Sequence, residues 1–361
     1  MRVEAVEAFP IRIKIKETLR GGTFAYTHYQ TVIVRAVADG VEGWGEAMTR
    51  FDPDATALLV RYMSKTIVGQ EYSGVKDAWE NAWRELRIRG HTRGTDVEAL
   101  SGIEIALYDC AGRLLKKPLG ALFSRSPAAR VPVFAGSLFS SRGPLENQVD
   151  EAKSQGLGGA KVKIGFGIRE DVKTLAKVRS AWPDGMLVAD ANGAYDSRTA
   201  ARACNAFSDL GLAWFEEPVL SDDFDGYVAL KRSRVRIGAG ESWFAGDFLR
   251  PIKEKLVGVI EPSVSRCGGL GVQVEVARRA AREGIGFSPM TGLNSVVSLA
   301  ASLHAASVCP SVGVEYNPFQ NPLQTELATG LQKPSRGSLE TPRGDGLGIS
   351  VDMRFVRAHA R

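Results

Sequence analysis

The sequence has 361 residues, 24% of them charged and 44% hydrophobic, with 39 glycines, 16 prolines and a formal net charge of +5. This balance excludes collagen-like, disordered and disulfide-scaffold classes and belongs to a folded chain with a sizeable core. The length exceeds the roughly 250 residues of one large barrel, which predicts a second, smaller domain.

The chain opens Met1-Arg2-Val3-Glu4, an alternation of apolar and charged residues without the apolar centre of a leader peptide. No uncharged apolar run approaches the roughly 20 residues that cross a bilayer, so no membrane partner is expected and the expected compartment is the cytoplasm. Residues 1 to about 50 alternate like antiparallel strands: residues 32–37 are rich in valine and residues 39–45 read as a hairpin turn. Residues 55–122 have helical period, and Ile103, Ile105, Ala106, Leu107, Cys110, Ala111 and Leu114 make a wide apolar stripe that should be core. Within that region Arg84-Glu85-Leu86-Arg87-Ile88-Arg89 alternates charged with apolar residues, the pattern of a solvated face, and no nucleic-acid partner is expected. Cys110, Cys204, Cys267 and Cys309 lie far apart with no histidine cluster nearby, which points to neither zinc nor disulfides.

From about Val131 short apolar runs alternate with amphipathic stretches. The runs cover residues 131–135, 160–164, 186–190, 213–216, 236–241, 256–260, 285–288 and 312–315. Strand and helix alternating in this way imply parallel βα units, and the set fits a (β/α)8 barrel better than an open sheet. The expected fold is therefore α/β, a TIM-type barrel over residues 126–320. An α+β capping domain spans 1–125, and a C-terminal segment, 321–361, returns to it.

In such a barrel, residues at the C-terminal ends of strands face the catalytic mouth. The third, fourth and fifth runs end at Asp190, Glu216 and Glu241, each about one βα unit after the last. Three carboxylates delivered to neighbouring places on one rim would repel without a cation, and an all-oxygen set suits Mg²⁺. On the second run, Lys161 and Lys163 are two apart and so point to one side, while Val162 and Ile164 point to the other. Like-charge repulsion between the two is expected to make one amine available as a neutral base. A metal-assisted base beside a carboxylate suggests removal of the proton from the carbon next to it, with an enediolate as the product.

These residues carry a resemblance. Ser101-Gly102-Ile103-Glu104, Lys161-Val162-Lys163, Ala189-Asp190-Ala191-Asn192, Trp214-Phe215-Glu216-Glu217-Pro218, Gly240-Glu241-Ser242, Cys267-Gly268-Gly269 and Gly346-Leu347-Gly348-Ile349 are together similar to the mandelate racemase and muconate-lactonizing branch of the enolase superfamily. A lysine or histidine base working with Mg²⁺ is that superfamily's chemistry. The stretch from Lys161 to Asp171, with Phe215 to Val219, looks most like acid-sugar enzymes, including galactarolactone cycloisomerases. The resemblance implies that Asp190, Glu216 and Glu241 hold Mg²⁺, Lys163 is the base, Lys161 tunes it and contacts the substrate carboxylate, and Asn192 lies beside the metal. It also implies that Glu315, ending the eighth strand, hydrogen-bonds or protonates that carboxylate, and that the chain assembles as a homo-oligomer.

One departure matters. Mandelate-racemase relatives carry an Asp after the sixth strand and a His after the seventh, whereas Ser263 and Met290 stand at those places here. Of the histidines His28, His91, His304 and His359, only His28 is placed to reach the mouth, from an N-terminal loop; His304 sits in an apolar helix as a structural group. Loops 20–28 and 47–51 should close over the substrate, with Arg20, Tyr26, His28 and Arg50 as candidate contacts and Met290 on the barrel side. A base on one face only disfavours racemisation. It leaves dehydration of a sugar acid as the leading expectation and cycloisomerisation of a sugar-acid lactone as the alternative. Retention of both lysines argues against a catalytically silent binding protein.

Overall fold

A computed structural model describes residues 1–360. The first three strands, β1 (Val3–Arg20), β2 (Ala25–Ala38) and β3 (Val41–Met48), form an antiparallel sheet in chain order. Asp39 and Gly40, both with positive φ, make a two-residue turn between β2 and β3. The turn is thus shorter than the sequence suggests, and residues 41–48 continue as strand.

Three helices follow, α1 (Pro53–Ile67), α2 (Val75–Ile88) and α3 (Thr95–Leu114). Asp52 caps α1, its carboxylate accepting from the Asp54 N–H, with Pro53 in the first turn. Helix α3 is buried along most of its length, Ile103, Ile105, Ala106, Leu107 and Cys110 among the buried residues. Leu114, expected in that core, is the last residue of α3 and is 49% exposed.

After a short α4 (Gly120–Phe123) come eight parallel strands: β4 (Arg130–Leu138), β5 (Gly159–Lys163), β6 (Met186–Asp190), β7 (Trp214–Glu216), β8 (Ile237–Ala239), β9 (Val259–Ile260), β10 (Gly286–Phe287) and β11 (Val314–Tyr316). The helices between them are α5 (Leu145–Ser154), α6 (Ile168–Ala181), α7 (Ser197–Phe207), α8 (Phe224–Leu230), α9 (Leu249–Glu254), α10 (Leu270–Arg282) and α11 (Val296–Val308). Neighbouring strands pair in order from β4 to β10, and β11 pairs with β4. The Val312 N–H donates to the Phe287 carbonyl at 2.9 Å, which joins the last two strands and closes the ring. This is the expected TIM barrel with its N-terminal domain. Phe134, Val188, Trp214 and Val259 fill the interior as an apolar cluster.

The remaining elements are α12 (Pro322–Thr325), β12 (Ala328–Thr329), β13 (Ser338–Glu340), β14 (Ser350–Val351) and α13 (Met353–His359). Strand β13 pairs antiparallel with β4 of the barrel and β12 with β14, while α13 and the chain around Leu347 pack on the first domain. The Asp109 carboxylate on α3 accepts from the Trp44 N–H at 2.9 Å and the Leu347 N–H at 2.7 Å, and Ala360 bridges to Ile11 on β1. His304 on α11 is fixed from two sides: Nδ1 accepts from the Gly120 N–H and Nε2 donates to the Leu347 carbonyl, each at 3.2 Å. Among the described residues no helix is long and apolar enough to cross a membrane.

Candidate active site

Strand register builds the site. Lys163 pairs with Asp190 across β5 and β6, and Asp190 pairs with Glu216 across β6 and β7, so the three stand at one level of the barrel. Glu241 reaches the same rim differently. Its strand ends at Ala239, and Gly240, at φ +136, turns the chain so that Glu241 lies two residues past the strand. Asp190 and Glu216 are fully buried and Glu241 is 7% exposed.

Lys161 lies among carboxylates, its Nζ 2.9 Å from Glu216 Oε2, 2.6 Å from Glu315 Oε1 and 3.4 Å from Asp190 Oδ2. Lys163 donates to Asp190 Oδ2 and, at 2.8 Å, to Asn192 Oδ1. Asn192, in a left-handed conformation with φ +46, turns its amide so that Nδ2 donates to Glu241 Oε1 at 3.0 Å. It thereby ties the lysine to the third carboxylate. Glu315 Oε2 accepts from the Thr291 and Gly292 N–H groups at 3.1 and 2.6 Å, and a side chain at Gly136 would overlap Glu315.

The electrostatics differ from the expectation in one respect. Burial pushes the Lys163 amine down and Lys161 adds repulsion, but Asp190, Glu241 and Glu216 outweigh both and hold it above its ordinary value. Lys161 is likewise held well above its ordinary value: burial opposes this, and Glu216, Glu315, Asp190 and Glu241 prevail. Mutual repulsion therefore does not free an amine while these carboxylates face it. Conversely, burial and then Asp190 raise the Glu216 carboxyl to about 8 despite Lys161. Four acidic groups face two ammonium groups and, at Glu241, the Arg50 guanidinium, an excess of negative charge that a further cation would relieve.

The carboxylates are arranged around the ammonium groups, and among the described residues no three metal-ligating side chains converge at metal-holding spacing. Their chemistry nonetheless fits a hard divalent ion: all donors are carboxylate oxygens, and Glu216 Oε2 is buried without a hydrogen-bond donor in bonding geometry, although Lys161 pairs with it electrostatically.

A cavity of about 60 Å³ opens beside these groups. Tyr26, His28, Arg50, Asn192 and Met290 line it together with Lys161, Lys163, Glu241 and Glu315. Arg20 does not. Its side chain is exposed outside the lining at the end of β1, and its backbone N–H donates to Ser141 Oγ at 3.0 Å. Arg50 stays inside, hydrogen-bonded to the Tyr26 hydroxyl and 3.5 Å from Glu241 Oε1. Sequence reasoning missed Gln30, Ser137 and Asn294, which also line the cavity. Ser137, with φ +69 where β4 slips register against β5, carried no signal in its residue type.

Residues 145–355 match the family model described as enolase C-terminal domain-like, and residues 14–123 match the mandelate racemase/muconate lactonizing enzyme N-terminal domain. The chain is 27% identical to D-galactarolactone cycloisomerase of Agrobacterium fabrum, over 98% of this chain and 97% of that protein. It is 26% identical to arabinonate dehydratase of Saccharolobus solfataricus, over 87% and 86%. Among solved structures, 3,6-anhydro-D-galactonate cycloisomerase from Zobellia galactanivorans superposes with a TM-score of 0.88 at 26% identity, covering all of both chains. A racemase from Streptomyces coelicolor A3(2) with bound magnesium gives 0.91 at 25% identity, covering 99% of this chain and 100% of that one. Strand ends, lysine pair and both family models agree: the chain belongs to the mandelate racemase/muconate lactonizing enzyme family of the enolase superfamily.

Proposed function

We propose that this enzyme removes the proton next to a carboxylate from a sugar acid and expels the neighbouring hydroxyl as water. The carrying observation is the register that sets Lys163, Asp190 and Glu216 side by side at the mouth, with Lys161 bridging to Glu315. Lys163 acts as the base, Lys161 pairs with the substrate carboxylate, and Glu315, held by two backbone N–H groups, orients Lys161. Asp190, Glu216 and Glu241 would hold Mg²⁺, which when bound offsets charge developing on the substrate carboxylate and weakens the grip of these acids on Lys163. Asn192 holds Lys163 in line with the α-carbon, while Tyr26, His28, Arg50 and Met290 meet the rest of the substrate.

The wall facing Lys163 carries Met290, 4% exposed, and Ser263, fully buried. Neither is an acid–base group, which speaks for elimination over inversion. The likeness to a lactone cycloisomerase along nearly the whole chain favours a second reading, opening of a sugar-acid lactone after the same proton abstraction. Both reactions take a small-molecule carboxylate as substrate, in the cytoplasm.

Incubation of aldonic and aldaric acids and their lactones in D₂O with Mg²⁺ tests the proposal by proton NMR. Deuterium should enter at the α-carbon of at least one compound, with a 2-keto product if water is lost or an isomer of unchanged mass if a lactone opens. Lys163→Ala should lower exchange by at least about a thousandfold, as expected on removing a general base. Omitting Mg²⁺ and adding a chelator should abolish it. Exchange that survives Lys163→Ala would remove the proposal.

A further inference from the structure

We propose that the outward face of α1 is a two-fold interface on which a second copy of this chain packs its own α1, running the opposite way. The inference concerns assembly and stands apart from the reaction proposed above.

Helix α1 has two unlike faces. Thr56, Ala57, Val60, Met63 and Ile67 are buried where the helix packs on β1, β2 and α3. At about 3.6 residues per turn, Asp54, Leu58, Tyr62 and Lys65 fall together on the other side, and all four are exposed. Leu58 and Tyr62, 64% and 62% exposed, are four apart and so are neighbours along that face. Phe51, just before the Asp52 cap, is 89% exposed, the largest value among the exposed apolar side chains of the described residues. Single apolar residues on a surface are ordinary, but three gathered this closely form a patch that a partner is expected to cover.

The order of residues along the face says what fits it. A two-fold axis normal to a helix sets it antiparallel to its copy, and residues equidistant from the axis oppose one another. With the axis at Val60, Leu58 opposes the partner's Tyr62, and Tyr62 opposes the partner's Leu58. To within a residue, the same axis sets Asp54 against the partner's Lys65 and Phe51 toward the partner's Gly69. A Cβ at Gly69 would meet nothing within 4 Å, so that corner has room for an aromatic ring. Neither Asp54 nor Lys65 forms an ion pair among the described residues. The acid in the first turn and the base in the last therefore complement each other only between copies that run opposite ways. Copies running the same way would set acid against acid.

The interface reaches toward the catalytic mouth. Phe51 follows Arg50, and its carbonyl accepts from the Gln30 side-chain amide at 3.3 Å. Arg50 and Gln30 both line the cavity. A partner seated on Phe51 therefore steadies the loop that carries Arg50, which makes assembly part of how the mouth is held in shape.

Sedimentation velocity across a wide dilution series of the full chain tests the inference. The set is wild type, Tyr62→Glu, Leu58→Glu, Asp54→Lys, Lys65→Asp and the double variant Asp54→Lys/Lys65→Asp. Wild type should be a dimer or an even-numbered assembly of dimers. Tyr62→Glu and Leu58→Glu should each weaken association at least about tenfold, the scale of a lost interface anchor. Each single charge reversal sets like charges against each other and should weaken it at least about threefold, while the double reversal should return to within about twofold of wild type. All four side chains are exposed, so thermal midpoints should stay close to that of wild type, which keeps loss of fold apart from loss of contact. A wild type that is monomeric at every concentration, glutamate variants of unchanged mass, or a double reversal no stronger than the single ones would each overturn the inference.

Discussion

Arg20 and Arg50 look interchangeable as sequence, each in a glycine- or threonine-containing loop of the capping domain, yet only Arg50 enters the cavity. Its guanidinium is shared between the Tyr26 hydroxyl and Glu241, so it links the loops of one domain to a carboxylate of the other. Arg50→Ala should raise KM for the substrate and lower kcat/KM by at least about tenfold, whereas Arg20→Ala should stay within about twofold, both read by steady-state kinetics. The lysine pair teaches a related lesson. Their spacing shows that they share a side of the strand, but the sign of the shift depends on how many carboxylates converge on them. That number is set by register between strands, which the spacing within one strand does not contain.

At the scale of elements, one of the ties between the two domains is a buried carboxylate. Glu46, at the end of β3, accepts from the Thr31 hydroxyl, the Ser295 N–H and hydroxyl, and the Ser298 N–H at the start of α11. It thus caps a barrel helix from the capping sheet, where the exposed N–H groups of the first turn need acceptors. Glu46→Ala would strand these donors and should cost about 3 kcal/mol, measured as a lower urea midpoint at unchanged slope. A larger slope change would mean that the domains separate before the barrel unfolds. The barrel strands themselves were legible because valine, isoleucine and alanine runs ending in acids recur at βα spacing. The exposure of Leu114, the place of Ser137 and the turn at Gly240 that carries Glu241 to the rim were not. Each depends on where an element stops relative to its neighbour, and residue type is silent about that.

At the scale of the molecule, His304 joins α11, α4 and the C-terminal segment, and burial pushes its imidazole down to about 4. A folded value below the ordinary 6.5 means the unfolded chain takes up the extra proton, so stability is full above about pH 6.5 and declines as pH falls toward 4. The difference corresponds to about 3 kcal/mol lost by pH 4. Protonated Nδ1 would also confront the Gly120 N–H that it now accepts. His304→Gln should be less stable at neutral pH but flatter between pH 6.5 and 4, checked by thermal unfolding across that range. An acid limb as steep as wild type would place the sensitivity elsewhere.

The tie between Asp109 and the Leu347 N–H spans 238 positions of chain. On the ribosome, helix α3 is made long before its partner exists, and β1 must wait still longer for Ala360. Cap and barrel are thus both stitched by residues far along the chain, and a cut before Ser338 would take from Asp109 one of its backbone donors and from β4 its antiparallel neighbour.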